Sequence, residues 1–189
     1  MTTTLDIRAQ DGRPAGWFNP WQGAIYQREA RGYPHGVIVE VGSWLGRSLS
    51  FIAPHVRGLQ QTVWCVDTWH GSEADETGAL AAGFDVFAGF RQNVKRMGIA
   101  DLVHPLRMPS VDAAQRFDDR SVDLVMIDAD HRYESVKADI DAWVPKLKPG
   151  GTLMGHDFDP DKWPGVVAAV TLRWPRVQHE HRVWMVRHG

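Results

Sequence analysis

A single cysteine, Cys65, stands in 189 residues, so no internal disulfide can form and the framework of a small secreted domain is excluded. Neither sign of charge is in excess. With 21 basic and 23 acidic side chains the net charge is -2, which leaves no whole-chain footprint for a nucleic-acid backbone or an anionic membrane. No apolar run approaches the roughly 18 residues that a bilayer-spanning helix needs. The opening Met1-Thr2-Thr3-Thr4-Leu5-Asp6 lacks the charged-then-apolar layout of a secretory signal, and a cytoplasmic protein is expected. Internal repeats and low-complexity tracts are absent too. What is there is 43% hydrophobic and 23% charged, ordinary for one globular domain.

Val37-Ile38-Val39-Glu40-Val41 is β-branched and closed by a glycine, the pattern of a buried parallel strand. Thr62 to Asp67, Leu102 to Leu106, Val122 to Asp128 and Thr152 to Met154 read as four more, the segment with Pro105 being the weakest. Between them, helices are expected from near Arg47, limited by Pro54, and from about Phe84 to Met97, stopped by Gly98. A third places Tyr133, Val136, Ile140, Trp143, Val144 and Leu147 on one face and ends at Pro149-Gly150-Gly151. A last one opens at Pro164 and runs to about Leu172. The tail from Val177 to Arg187 alternates as a hairpin turning near Glu180-His181.

Five strands alternating with helices demand right-handed crossovers. The expected fold is therefore α/β, a doubly wound, mostly parallel, Rossmann-like sheet with a C-terminal antiparallel hairpin. Residues 37–189 form the domain, and residues 1–36 form a cap whose helix, over Trp21 to Ala30, covers one edge or the active site. The polar stretch from Trp69 to Gly83 is expected to be a mobile loop acting as a lid. Ligands of such sheets bind beyond the C-terminal strand ends, which directs attention to the residues that follow each strand.

The first of these is Glu40-Val41-Gly42-Ser43-Trp44-Leu45-Gly46-Arg47-Ser48, where glycines allow a tight turn and a new helix offers free N–H groups. The same residues also suit a bare strand-to-helix turn. A dinucleotide site would carry glycine where Trp44 stands, so pyrophosphate fits poorly and a ligand with a carboxylate, such as S-adenosylmethionine, fits better. Asp67 ends the second strand, followed by Thr68, and can accept both hydroxyls of an adenosine ribose; NAD would use the same acid. Trp69 is expected beside that ribose. Asp128-Ala129-Asp130-His131 and His156-Asp157 converge on one rim, where paired carboxylates call for a proton or a hard divalent cation. Asp130 alternatively caps the next helix, and His156 alternatively packs in its loop. Arg173, Arg176, Arg182 and Arg187 read as solvated surface rather than an RNA platform.

Taken together, Glu40-x-Gly42-x-x-x-Gly46-x-Ser48, Asp67, Asp128-x-Asp130 and Pro149-Gly150-Gly151 resemble the class I S-adenosylmethionine-dependent methyltransferases from Val37 to Arg187. Their order and spacing are similar to the metal-dependent catechol and caffeoyl-coenzyme A O-methyltransferase type. Val66-Asp67-Thr68-Trp69, Ile127-Asp128-Ala129-Asp130-His131 and Gly155-His156-Asp157 look like a bacterial subgroup that modifies sugars and secondary metabolites. The resemblance implies a cofactor site of Glu40, Gly42, Ser43, Trp44, Gly46, Ser48, Asp67, Thr68, Ser110 and Asp128, with Ser110 at adenine. It implies a metal site of Asp128 and Asp157 with His156 or Asp130, taking Mg2+ or, with a histidine ligand, Mn2+. His131 falls at the place of the general-base lysine of the catechol type, and His156 competes for that role. Two residues depart from the pattern: the base lysine is absent, and His156-Asp157-Phe158 replaces a paired acid-amide or acid-acid.

The expected activity is O-methylation of a small hydroxylated acceptor. A nicotinamide-dependent oxidoreductase and a non-catalytic cofactor-binding module are the alternatives. The expected partner is that acceptor, without nucleic acid or membrane, and a homodimer is compatible with the sequence.

Overall fold

The computed structural model describes residues 9–72 and 76–189; the segment from Met1 to Asp6 and the lid residues Glu73 to Asp75 lie outside the described residues. Seven strands form one sheet: β1 (Val37–Val41), β2 (Thr62–Asp67), β3 (Val103–Arg107), β4 (Val122–Ile127), β5 (Leu147–Gly155), β6 (Gln178–Glu180) and β7 (Val183–Arg187), ordered β3-β2-β1-β4-β5-β7-β6. The first five run parallel, and β7 pairs antiparallel with β5 and β6. The expected doubly wound sheet with its hairpin is present. β3 lies at the edge, which is why Pro105 is tolerated: a missing N–H there costs no pairing on the outer side.

The helices are α1 (Pro20–Arg31), α2 (Leu49–Val56), α3 (Glu76–Ala82), α4 (Val86–Arg96), α5 (Ser110–Ala114), α6 (Tyr133–Trp143) and α7 (Pro164–Arg173). Strand residues alternate between two faces. Ile38, Val63, Cys65, Leu124 and Met126 pack under α1, α2 and α4, while Val39, Val41, Val66, Val125 and Ile127 pack under α5, α6 and α7. The start of α1 is fixed by a capping box in which Asn19 Oδ1 accepts from Gln22 N and Gln22 Oε1 accepts from Asn19 N. Pro54 sits inside α2 and deprives the Ser50 carbonyl of its helical donor. Arg13 Nη1 donates to that carbonyl at 2.8 Å, so the helix continues.

Three boundaries differ from the sequence reading. α6 stops at Trp143, because Pro145 cannot donate to the preceding turn; Val144–Lys146 is a 3-10 turn and Leu147 opens β5. Pro149-Gly150-Gly151 consequently lies within a longer β5 rather than ending a helix. The stretch expected to be a plain loop after Trp69 contains α3, which buries none of its residues. The hairpin turn falls at His181 and Arg182, both with positive φ of 50° and 67°, the handedness that a two-residue connection between twisted strands requires. Among the described residues no helix is long and apolar enough to cross a membrane.

Candidate active site

A cavity of about 850 Å³ opens over the C-terminal ends of β1, β2, β4 and β5. Its floor is the turn after β1. Gly42 adopts φ 88°, and a Cβ there would lie 2.0 Å from the Asp128 carbonyl oxygen, so only glycine lets this turn pass the end of β4. Gly46 turns the chain again at φ 82°, and Asn93 Nδ2 holds the intervening Leu45 carbonyl at 2.9 Å. Gly42, Ser43, Trp44 and Ser48 line the cavity. Glu40 is fully buried beneath them; desolvation pushes its carboxyl up to about 8, against the pull of Ser43 and Ser48.

Asp67 reaches the same cavity from the end of β2. Its Oδ2 accepts from Trp44 N at 2.8 Å and its Oδ1 from Trp69 N at 2.7 Å. Burial raises its carboxyl, and the backbone amides of Trp44, Trp69 and Thr68 act in the opposite sense. An ionised carboxylate has about four acceptor positions, which these amides do not exhaust. Thr68 lines the wall beside it.

Trp69 is not the ring beside the ribose site that the sequence suggested. It is 2% exposed and packs against Phe87 and Phe90, with ring centroids 4.6 and 5.0 Å away. Its indole Nε1 donates to the Trp44 carbonyl at 2.8 Å. The aromatic residue at the cavity mouth is instead Trp17, which is 52% exposed and 6.3 Å from the ring of Trp44. It is carried by a leading segment strapped across the turn: Arg47 Nε donates to the Phe18 carbonyl at 2.5 Å and Nη1 to the Pro14 carbonyl at 3.0 Å.

At the rim the structure brings Asp128, His131, His156 and Asp157 together. His156 Nδ1 lies 3.2 Å from Asp128 Oδ1 and 3.0 Å from Asp157 Oδ2, and His131 Nε2 lies 2.9 Å from the same Asp157 oxygen. Burial disfavours a charged His156, yet the two carboxylates prevail and push it up to about 10. The Asp157 carboxyl is held well below its ordinary range: burial opposes this, but hydrogen bonds from both histidines outweigh it. The His131 ring stacks on Trp163 at 3.7 Å, and His156 packs on Phe18 at 4.8 Å.

Asp128, His131 and Asp157 each offer a ligand atom, and these atoms lie within 4.8 Å of one another. Two carboxylates and an imidazole fit a divalent cation. The histidine of that set is His131, where the sequence had offered His156. Asp130 turns away: its oxygens accept from Arg132 N at 2.9 Å, from the Arg132 guanidinium and from Ser135 Oγ at 3.1 Å. This braces the entry to α6 without forming the side-chain cap of that helix.

Ser110 lies at the far end, where its Oγ accepts from Trp143 Nε1 at 2.9 Å. Beside it is Asp139, which the sequence reading passed over. The signal was an acid between Val136, Ile140 and Trp143, inside the apolar stripe of α6. Trp17, Phe18 and Trp163 were missed because aromatic residues in loops carry no periodicity to place them.

The sequence matches the methyltransferase domain family over residues 39–158, more than half of the chain, and the chain belongs to that family. An uncharacterised protein of Sinorhizobium fredii, y4gI, is 33% identical over 124 residues, which are 65% of this chain and 13% of that protein. The chain thus spans a small fraction of that relative's length. CalS11, a calicheamicin methyltransferase, superposes with a TM-score of 0.70 at 18% identity over 91% of this chain and 81% of its own. An O-methyltransferase from Bacillus cereus in complex with SAH gives 0.63 at 21% identity over 92% of this chain and 84% of its own.

Proposed function

We propose that the protein is an S-adenosylmethionine-dependent O-methyltransferase for a small hydroxylated acceptor. The observation that carries this reading is Asp67: a carboxylate at the end of β2, 25 positions after Gly42, held by two backbone amides and facing the cavity with acceptor positions left over. That is the arrangement that takes a ribose diol. The SAH bound to the Bacillus protein, and the description of CalS11 as a TDP-rhamnose 3'-O-methyltransferase, support the same cofactor and a sugar or secondary metabolite as acceptor.

When bound, the cofactor supplies a methyl group on a sulfonium, open to in-line displacement. The chain's own part is placement and proton removal. Ser43, Trp44 and Ser48 hold the amino-acid end, Glu40 supports that turn from below, Asp67 and Thr68 hold the ribose, and Ser110 faces the base. The acceptor enters between Trp17 and Trp163, which line the cavity and offer it apolar faces. Its hydroxyl proton passes to the imidazole of His131, whose cationic form is stabilised by Asp157 2.9 Å away. His156 is less suited to be the base, since its Nδ1 already stands between two carboxylates and its side chain is 5% exposed. A divalent cation on Asp128, His131 and Asp157 would take the place of that proton on His131 rather than accompany it, and would itself lower the acceptor's own pKa. Gly71, Ser72, Glu76 and Thr77 line the cavity, which supports a covering role for the stretch that carries them. The lone Cys65, fully buried, goes with a cytoplasmic setting.

Calorimetry with S-adenosylhomocysteine and NAD tests the reading. Binding of the first and not of the second is expected; NAD binding without S-adenosylhomocysteine binding would overturn it.

A further inference from the structure

The cavity end between the β3–α5 turn and α6 is apolar on most sides, with Met108, Pro109, Val111 and Ala138 along it. Within it stands one carboxylate, Asp139, 6% exposed and lining the cavity. Its partner in the protein is the Ser110 hydroxyl, whose oxygen already accepts from Trp143 Nε1 and which therefore spends its single hydrogen on the acid. One hydroxyl does not saturate a group with about four acceptor positions and no donor. Burial, with a contribution from Asp130, pushes the Asp139 carboxyl up to about 6, so at neutral pH it is ionised at a cost that a donor from a ligand would relieve.

Topology says which part of a ligand arrives there. β3 is the outer neighbour of β2, Asp67 is in register with Arg107, and Met108 N donates to the Asp67 carbonyl at 3.1 Å. A nucleoside whose ribose sits on Asp67 therefore extends its base over Met108 to Ser110 and toward α6. The apolar walls suit the flat faces of a purine, and the acid meets its edge.

We propose that Asp139 accepts a hydrogen bond from the exocyclic amine of the bound purine and so selects a 6-amino over a 6-oxo base. The inference rests on the reading of Asp67 as the ribose site. A 6-oxo group would set an oxygen against the carboxylate, and an acceptor facing an acceptor in a dry site is repelled.

The test is calorimetric titration of the protein at pH 7.5 with S-adenosylhomocysteine and with its 6-oxo analogue, S-inosylhomocysteine. The protein should bind the amino form about ten- to one-hundred-fold more tightly, as expected for one charge-assisted hydrogen bond. In Asp139→Asn the amide can turn to donate to the oxo group, and the preference should shrink to within about threefold while the variant still binds S-adenosylhomocysteine. A role confined to packing Ser110 and Trp143 would weaken both ligands equally and leave the ratio unchanged, which would overturn the proposal. Equal affinities in the unaltered protein would overturn it without any variant and leave the cofactor reading standing. Failure of S-adenosylhomocysteine to bind at all would remove the cofactor reading and the proposal with it.

Discussion

The backbone N–H of Trp44 donates to Asp67 Oδ2 at 2.8 Å, tying the turn after β1 to the end of β2. Asp67 thus shapes the cavity floor as well as facing it. Asp67→Ala removes the acceptor for this amide and for that of Trp69, and leaves a ribose diol without its partner. Affinity for S-adenosylhomocysteine should fall about ten- to one-hundred-fold, with a loss of stability of about 1–3 kcal/mol from the stranded amides. Asp67→Asn should do little better, because an amide offers one acceptor oxygen where two are in use. Calorimetry and urea unfolding on both variants check this; unchanged affinity would detach Asp67 from the cofactor.

The centre of the sheet was legible in the sequence because β1, β2 and β4 are short apolar runs rich in β-branched residues, and the turn after β1 carries Gly42 and Gly46. The floor and the rim were legible for the same reason, since strand ends locate Asp67, Asp128 and Asp157 by position alone. Long-range packing was not legible. Trp69 lies two positions after Asp67, yet its ring turns into the core against Phe87 and Phe90, a choice made by neighbours 18 and 21 positions away. Trp17 reaches the cavity through Arg47, whose contacts with Pro14 and Phe18 span some thirty positions and leave no local pattern. Asp139 needed the opposite inference: an acid on an apolar stripe is an anomaly in the sequence, and its explanation is a cavity on that side.

Chelation separates two ways of balancing the rim carboxylates. His156 supplies one positive charge to Asp128 and Asp157, and a divalent cation on Asp128, His131 and Asp157 would supply another. Methyl transfer should fall at least about tenfold after EDTA treatment and return with added Mg2+ or Mn2+. Asp157→Asn should weaken metal binding measured directly by titration with Mn2+. Full activity after exhaustive chelation would assign charge balance to His156 alone.

Asp139 makes folding pH-dependent. Its carboxyl stands at about 6 in the folded protein against 3.8 as the ordinary value, so the native state binds the proton more tightly than the unfolded chain. The resulting stabilisation is full below about pH 4 and is lost as pH rises through about 6. The difference is worth at most about 3 kcal/mol. Asp139→Asn, which imitates the neutral acid, should therefore match the unaltered protein near pH 3.5 and exceed it in stability at pH 8. Urea unfolding at the two pH values reads the difference; parallel pH dependence in both proteins would mean that the acid is not strained.

Proton removal is the step on which the two histidines divide. His131 lines the cavity, stacks on Trp163 and has its Nε2 fixed by Asp157, a support that favours the imidazolium formed when an acceptor hydroxyl gives up its proton. His156 is wedged between carboxylates and Phe18, and its place is to hold the rim together. His131→Ala should lower kcat by about 10²–10⁴-fold with S-adenosylhomocysteine affinity nearly unchanged, the mark of an interaction spent on the transition state. The acidic limb of the kcat profile should vanish with it. His156→Ala should instead weaken folding and the rim geometry, since removing an imidazolium leaves two half-buried carboxylates close together without a counter-charge. His156→Gln, which restores a neutral donor of similar size, should recover part of the stability and keep the acidic limb. Measured profiles in which His131→Ala retains that limb and His156→Gln loses it would exchange the two assignments.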